Sequence, residues 1–392
     1  MGPQRTDWRL VLLIWAAGLG AAAQYGKVSV IYHLLPDLYP QAGTALGFVV
    51  SLVGFVGIVF GVVAGLLVAR LGYRRTLLGA LWAGAALSLV QASLPPLPFL
   101  LAARALEGAS HLAIVVAAPT FIAQLSATRH RGFTLSLWST FFGVSYTVLV
   151  MLGLPLVAAY GIPALFVAHA LWMVALALIL SRVLPRIGGQ TDLPPLSVAS
   201  VLRDHGTIYR SPFVAAPAIG WLFYTFCFLA LLTLIPPYIA SDQRATILAA
   251  MPLVSIAVSM TLGVVLLRYL SAVAVVVLGF TLTVLCIGWL WVDPGAPLAC
   301  LALVGALGLV QGASFAAVPA LNDRPEGQAQ ANGAMAQMGN LGNTLGTPVL
   351  AAVLAGSGYS GMMIVSAIVF AAGIAMHLWM ANRRRSRSVL DF

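Results

Sequence analysis

Charge is what this chain has least of. Only 8% of its 392 residues are charged, and its ten acids are outnumbered by twenty basic residues, of which Lys27 is the only lysine. A soluble domain carries roughly 25% charged residues. With 61% hydrophobic residues, a water-soluble fold of this length has no interior large enough to hide them, which leaves lipid as the solvent. Cysteine is also scarce: Cys227, Cys286 and Cys300 lie in apolar stretches with no CxxC spacing and no histidine cluster. They read as small buried hydrophobes, which excludes a disulfide framework and a thiolate metal site. No HExxH, Walker loop or GxSxG occurs, and Gly18-x-Gly20 is a fragment of a dinucleotide fingerprint with no strand before it. An enzyme is therefore not expected, nor any cofactor or metal. With no nucleotide-binding domain to drive it, any transport must run on a gradient.

Twelve apolar stretches occupy most of the sequence, at 8–34, 44–69, 76–94, 97–124, 134–159, 163–184, 213–239, 246–267, 271–292, 297–321, 328–355 and 360–381. Each is close to the roughly 20 residues needed to cross a bilayer. Helices are expected, because an open sheet edge has no partners in lipid. Gly20-Ala21-Ala22-Ala23 behind Arg5 and Arg9 has a faint look of a signal-cleavage region. The apolar run continues past it to Leu35, however, and an even helix count needs the segment.

The basic residues sit in every second gap. Arg5, Arg9, Arg70, Arg74, Arg75, Arg129, Arg131, Arg182, Arg186, Arg203, Arg210, Arg268, Arg324 and the run Arg383, Arg384, Arg385, Arg387 fall on one side, against Arg244 alone on the other. The positive-inside rule then places both termini in the cytoplasm. It also accounts for the net charge of +10 without nucleic acid. The longest gap, 185–212, carries Gly188, Gly189, Pro194 and Pro195. It reads as a cytoplasmic linker, with a short helix near 197–209, between halves 1–184 and 213–392.

The halves repeat. Glu107-Gly108-Ala109-Ser110 with Pro119 corresponds to Gln311-Gly312-Ala313-Ser314 with Pro319. Gly153-x-Pro155-x-x-Ala158-Ala159 corresponds to Gly346-x-Pro348-x-x-Ala351-Ala352, and Gly65 with Arg70 to Gly263 with Arg268. The offsets are 204, 193 and 198 residues. Three matches in one order at nearly constant offset imply a duplicated unit. The expected fold is an all-α membrane protein of twelve transmembrane helices in two pseudo-symmetric six-helix bundles.

This arrangement resembles the major facilitator superfamily of secondary transporters. Gly65-Leu66-Leu67-Val68-Ala69-Arg70-Leu71-Gly72-Tyr73-Arg74-Arg75 is similar to the family's Gly-x-Leu-x-Asp-Arg-x-Gly-Arg-Arg/Lys, and Arg104-Ala105-Leu106-Glu107-Gly108 to its Arg-x-x-Gln/Glu-Gly. The resemblance implies a cytoplasmic gate at Gly65, Arg70, Gly72, Arg74 and Arg75. Ala69 stands where the family has an acid that latches the halves, and only Gly153-x-Pro155 is left of the antiporter glycine-proline pattern. Both departures count against multidrug efflux.

An ionisable residue at membrane depth marks function by default. Lys27 and Arg104 each lie seven residues from the outer end of their stretches, about 10 Å deep at about 1.5 Å per residue. Two cations in one layer point to an anionic substrate group; the alternative is snorkelling by Lys27 beside an Arg104–Glu107 pair at i,i+3. Glu107 and His111 share the Arg104 face of their helix and are the candidates for proton coupling, against a neutralising carboxylate and a hydrogen-bonded core histidine. His169, with no ionic partner nearby in sequence, reads as a packing residue. Gln24, Tyr25, Tyr146, Tyr224, Gln311, Gln337 and Asn340 are candidates to meet the polar atoms of a ligand, although amides also serve as glue between membrane helices. The expected function is proton-coupled import of a small organic anion across a bacterial inner membrane by a monomer. The alternatives are export of a metabolite or drug and, outside transport, a membrane receptor or scaffold.

Overall fold

The structure is a computed structural model that describes residues 5–127, 140–185, 198–322 and 325–390, with residues 130, 134, 137 and 138. The expectations placed on Arg129, Arg131, Arg324 and residues 186–197 of the linker fall outside that set. The side chains of Arg70 and Arg387 are also outside it, and of Gly65 only the helical backbone is described. Helix dominates, as lipid burial of a backbone requires.

The helices, in chain order, are α1 Trp8–Val30; α2, made of Leu46–Ser51, a 3₁₀ turn Leu52–Gly54 and Phe55–Leu71; and α3 Tyr73–Ala92 and α4 Leu97–Leu125. Then come α5 Phe141–Tyr160 and α6 Ile162–Val183. The linker contributes α7 Val198–Arg210. Beyond it lie α8 Ala215–Leu234, α9 Ser241–Tyr269, α10 Ala272–Val292 and α11 Pro297–Leu321. The final helical run, Pro325–Leu390, is interrupted at Gly358 (φ 66°), which makes it two helices, α12 (325–357) and α13 (359–390).

Ten stretches among the described residues are long and apolar enough to cross a membrane, one of them spanning both α12 and α13. Dividing that stretch at Gly358 and adding the 20-residue α3 gives the twelve expected from the sequence. Glycine does the dividing for a physical reason: a positive φ costs other residues a Cβ clash. Gly72 (φ 85°) turns α2 into α3 the same way, and its N–H caps the Val68 carbonyl.

Several boundaries differ from the hydropathy reading. The first run ends as regular helix at Val30, not Leu34, and continues as short turns at Tyr32–Leu34 and Leu35–Leu38. Pro36 has no N–H with which to continue the ladder. Helix α5 carries a π-turn at Leu149–Gly153, just before Pro155, and α9 another at Ser259–Gly263. Helix α13 runs on through Arg383, Arg384 and Arg385, so the basic run prolongs a helix.

The chain divides into two compact units. The first comprises Met1–Gly57 and Val63–Pro194, the second Ile58–Val62 and Pro195–Phe392. The core of the first is formed by Val11, Ile14, Leu77, Leu81, Ile114, Phe121, Met173 and Leu180, drawn from α1, α3, α4 and α6. In the second unit α7 lies on α8 and α12 through Ile208, Ala218, Ala331 and Met335. Burial pushes the Tyr209 hydroxyl up to about 12, which keeps it a hydrogen-bond donor at physiological pH.

Candidate functional site

Four helices of the first unit each turn a pair of residues spaced i,i+3 toward one place, and in three of them both members are polar. Helix α1 supplies Gln24 and Lys27, α3 Ser88 and Gln91, and α4 Arg104 and Glu107 with Ser110 one turn further. Helix α6 supplies Phe166 and His169. All the polar members are buried, and Lys27, Arg104 and Glu107 have no exposed surface at all.

Glu107 is the hub. Its Oε1 accepts from the Lys27 ammonium at 2.6 Å, and its Oε2 accepts from Gln91 Nε2 at 2.8 Å and from Arg104 Nη1. The carboxylate thus joins two cations that sit 77 residues apart in sequence. The Lys27 ammonium has three hydrogens and three partners: Glu107, Ser88 Oγ at 2.8 Å and His169 Nδ1 at 3.4 Å. The Phe166 ring lies 5.2 Å from the same nitrogen, within cation–π range. Lys27 does not snorkel; it is tied into the interior.

Arg104 works on the backbone as well. Its Nε donates to the Val49 carbonyl at 2.7 Å, and its Nη2 donates to the carbonyls of Gln24 at 2.5 Å and Val50 at 3.3 Å. The tightening of α2 into a 3₁₀ turn at Leu52–Gly54 explains why carbonyls there need an outside donor, since the change of bonding leaves a preceding carbonyl without its i+4 N–H. Gly108, one turn along α4, lets the helices approach closely enough: a Cβ there would collide with the Val53 carbonyl. Gly108→Ala is expected to destabilise the protein by about 1–3 kcal/mol, the usual cost of overpacking, because a backbone oxygen cannot rotate away. Thermal unfolding of the purified variant measures it; an unchanged midpoint would mean α4 shifts without losing its contacts to α2.

The amides are oriented by their partners. Ser110 Oγ donates to the Ala80 carbonyl, so Gln24 Nε2 must be the donor to Ser110 at 2.8 Å. Gln91 must likewise present its nitrogen to the carboxylate. The oxygens Gln24 Oε1 and Gln91 Oε1 are left buried without a protein donor. His111 Nδ1 meets the Ala21 carbonyl at 2.9 Å, and its ring stands edge-on to Tyr25 at 5.0 Å. His111 therefore belongs to the same cluster through α1, held at Nδ1 by a backbone carbonyl.

Residues 10–347 match the Major Facilitator Superfamily. The chain belongs to that superfamily. A comparison with curated proteins gives no match. Membership makes it an integral membrane protein and a secondary transporter, and it agrees with the all-helical architecture and with the motifs around Gly72 and Arg104.

Of the gate residues that the superfamily resemblance implies, Gly72 is the buried turn already described. Arg74 Nη2 donates at 2.6 Å to the Ser181 carbonyl near the C-terminal end of α6, where the helix dipole favours a cation, and Arg75 is exposed. Tyr146 is buried on α5 in the first unit. The other candidate ligand contacts lie in the second unit. Tyr224 is buried and stacked between Trp221 at 4.4 Å and Phe228 at 5.0 Å. Gln337 accepts from the Tyr209 hydroxyl at 2.6 Å and bonds His205 at 3.0 Å, which ties α12 to α7. Asn340 is buried and donates to the Ala336 carbonyl of its own helix, while Gln311 is half-buried.

Three members of the cluster were not legible as such. His169, read as a packing residue, stands among the polar groups: Nε2 lies 3.0 Å from the Gly20 carbonyl and Nδ1 lies 2.9 Å from Ser88 Oγ. Ser88 and Gln91 lie in an otherwise apolar run. Their signal is the shared i,i+3 stripe, on a helix whose other hydrophilic residues, Arg74, Arg75 and Thr76, lie in its first turn.

Proposed function

We propose that the protein imports a small organic anion together with protons, by alternating access across a bacterial cytoplasmic membrane with both termini inside. The observation that carries this reading is the unbalanced charge of the buried cluster, two cations against one carboxylate. Uncompensated charge is expensive at membrane depth, and a surplus of this sign favours an anionic partner.

Every hydrogen of Lys27 is already engaged, so the anion must compete with Glu107. Protonating Glu107 ends the competition, and the N–H groups of Lys27 and Arg104 then turn to the anion. The cluster keeps the same net charge in both states, so proton and anion favour each other's binding, and by linkage each raises the other's affinity. In this reading Glu107 and His111 handle the coupling proton. Gln24, Tyr25 and Tyr146, with Tyr224, Gln311, Gln337 and Asn340, contact the rest of the solute. Gly65, Arg70, Gly72, Arg74 and Arg75 form the cytoplasmic gate between six-helix halves 1–184 and 213–392, and the working unit is a monomer.

A thermal-shift screen of organic anions at two pH values tests it. A ligand at a hundred times its Kd stabilises by about 2.7 kcal/mol, and the shift is expected to grow at the lower pH. Stabilisation by cations or neutral solutes, with none by anions, would overturn the reading. Uptake into proteoliposomes under an imposed proton gradient then gives the direction.

A further inference from the structure

The hydrogen bonds behind Lys27 have only one possible direction. The Gly20 carbonyl can only accept, so Nε2 of His169 carries its hydrogen and, in the neutral ring, Nδ1 is a lone pair. The Lys27 ammonium can only donate, so Ser88 Oγ accepts from it at 2.8 Å. The Ser88 hydroxyl hydrogen is then directed at Nδ1, 2.9 Å away, a closer approach than the direct 3.4 Å contact between the ammonium and the same nitrogen. We propose that Lys27, Ser88 and His169 form a proton relay, in which the ammonium passes a proton through the Ser88 hydroxyl to Nδ1 of His169. This rests on the proton coupling of the preceding reading and adds to it the residues that carry the charge away from Glu107.

The transfer balances. One Nζ–H bond of Lys27 breaks as that proton binds Ser88 Oγ, and the former hydroxyl proton of Ser88 moves to Nδ1. Lys27 becomes a neutral amine, His169 an imidazolium held by the Gly20 carbonyl, and Ser88 remains a hydroxyl with its hydrogen turned round. No outside reactant is needed and the net charge is unchanged. The charged groups acting on the ring are Lys27 of α1 and Glu107 and Arg104 of α4; α3 presents Ser88, and α6 itself presents Phe166 beside the lysine. Glu107, 2.6 Å from Lys27 Nζ, holds the positive charge on the lysine. When Glu107 takes the coupling proton that attraction ends, and the charge is free to move along the relay. Protonation of the hub thereby lets the positive charge exchange between Lys27 and His169, while the net positive charge that the cluster offers an anion stays the same.

The single lysine makes the relay directly observable. The full chain, labelled with ¹⁵N-lysine and reconstituted in lipid nanodiscs, gives one side-chain Nζ signal, and ¹⁵N-histidine labelling gives a ring signal assigned to His169 by its loss in His169→Gln. Relaxation dispersion reads exchange on the microsecond-to-millisecond scale. The expected result is one common exchange rate at Lys27 Nζ and His169 Nδ1. It should fall about a hundredfold in Ser88→Ala, within the range for loss of a positioned proton-transfer group. It should vanish at Lys27 in His169→Gln and return in Ser88→Thr, which restores the hydroxyl. If Ser88→Ala does not fold, His169→Gln and Ser88→Thr carry the test. No exchange at Lys27 in the parent protein, or exchange that persists unchanged in His169→Gln, overturns the relay. Exchange without stabilisation by any anion leaves the relay standing and removes the anion; stabilisation without exchange does the reverse.

Discussion

Glu107→Gln is expected to be the most damaging single substitution in the buried cluster. It leaves Lys27 and Arg104, both wholly buried, facing a neutral amide. Removing one member of a buried ion pair costs about 3–5 kcal/mol, because the partner remains as an uncompensated charge; here two partners remain. Gln is close to Glu in volume, so packing is conserved and the loss is electrostatic. The purified variant should therefore unfold at a markedly lower temperature and show no proton-dependent response to anions. The effect should also be conditional. Glu107→Gln combined with Lys27→Met leaves one buried cation instead of two, and Arg104 keeps its carbonyl acceptors at Val49, Val50 and Gln24. The double variant should be more stable than Glu107→Gln alone, the sign of coupling between contacting residues. If the two losses simply add, the carboxylate is not the counter-charge of Lys27.

That coupling marks the limit of what the sequence could reveal. The membrane crossings were legible because lipid imposes a length and apolarity on each run, and the arginines repeat that information independently in the loops. Breaks at Gly72, before Pro36 and at Gly358 follow from single residues whose backbone chemistry is local. The Arg104–Glu107 pair was equally local, since i,i+3 spacing on a helix brings side chains together. Lys27 and Glu107 are different: they lie on separate helices, 80 residues apart, and nothing in either helix alone says that they meet. The same holds for His169, which reaches Ser88 and Gly20 from a third direction. Helix α6 offers no ionic partner, so a reading confined to α6 finds only packing. The carbonyls that hold Arg104 come from the interrupted start of α2, a run that hydropathy reads as uninterrupted helix. Residue type announces that a charge is buried; only the assembled helices say what answers it.

Lys27→Met should separate stability from function, which makes it the sharpest test of the cluster. Removing the ammonium leaves Arg104 and Glu107 as a neutral pair, with Gln91 still donating to the carboxylate at 2.8 Å. Methionine is unbranched, fills much of the space of the lysine stem and adapts to irregular cavities. Breaking a buried pair is costly because it leaves an uncompensated charge, and here the charge removed is the surplus one, so none is left behind. The unfolding free energy is therefore expected to stay within about 1 kcal/mol of the parent, in contrast to the loss in Glu107→Gln. Function should respond in the opposite sense: with one cation matched by one carboxylate, the cluster has no surplus positive charge to offer. Any stabilisation by anions should fall by more than tenfold in apparent affinity, about 1.4 kcal/mol, and proton-driven uptake should be lost. Lys27→Arg keeps the charge but not the fit, since a planar guanidinium cannot direct three hydrogens at Glu107, Ser88 and His169 as the ammonium does. It should retain anion binding while losing its dependence on pH. A Lys27→Met protein that binds anions as the parent does would place the substrate site elsewhere and leave the buried cluster a purely structural bond between α1, α3 and α4.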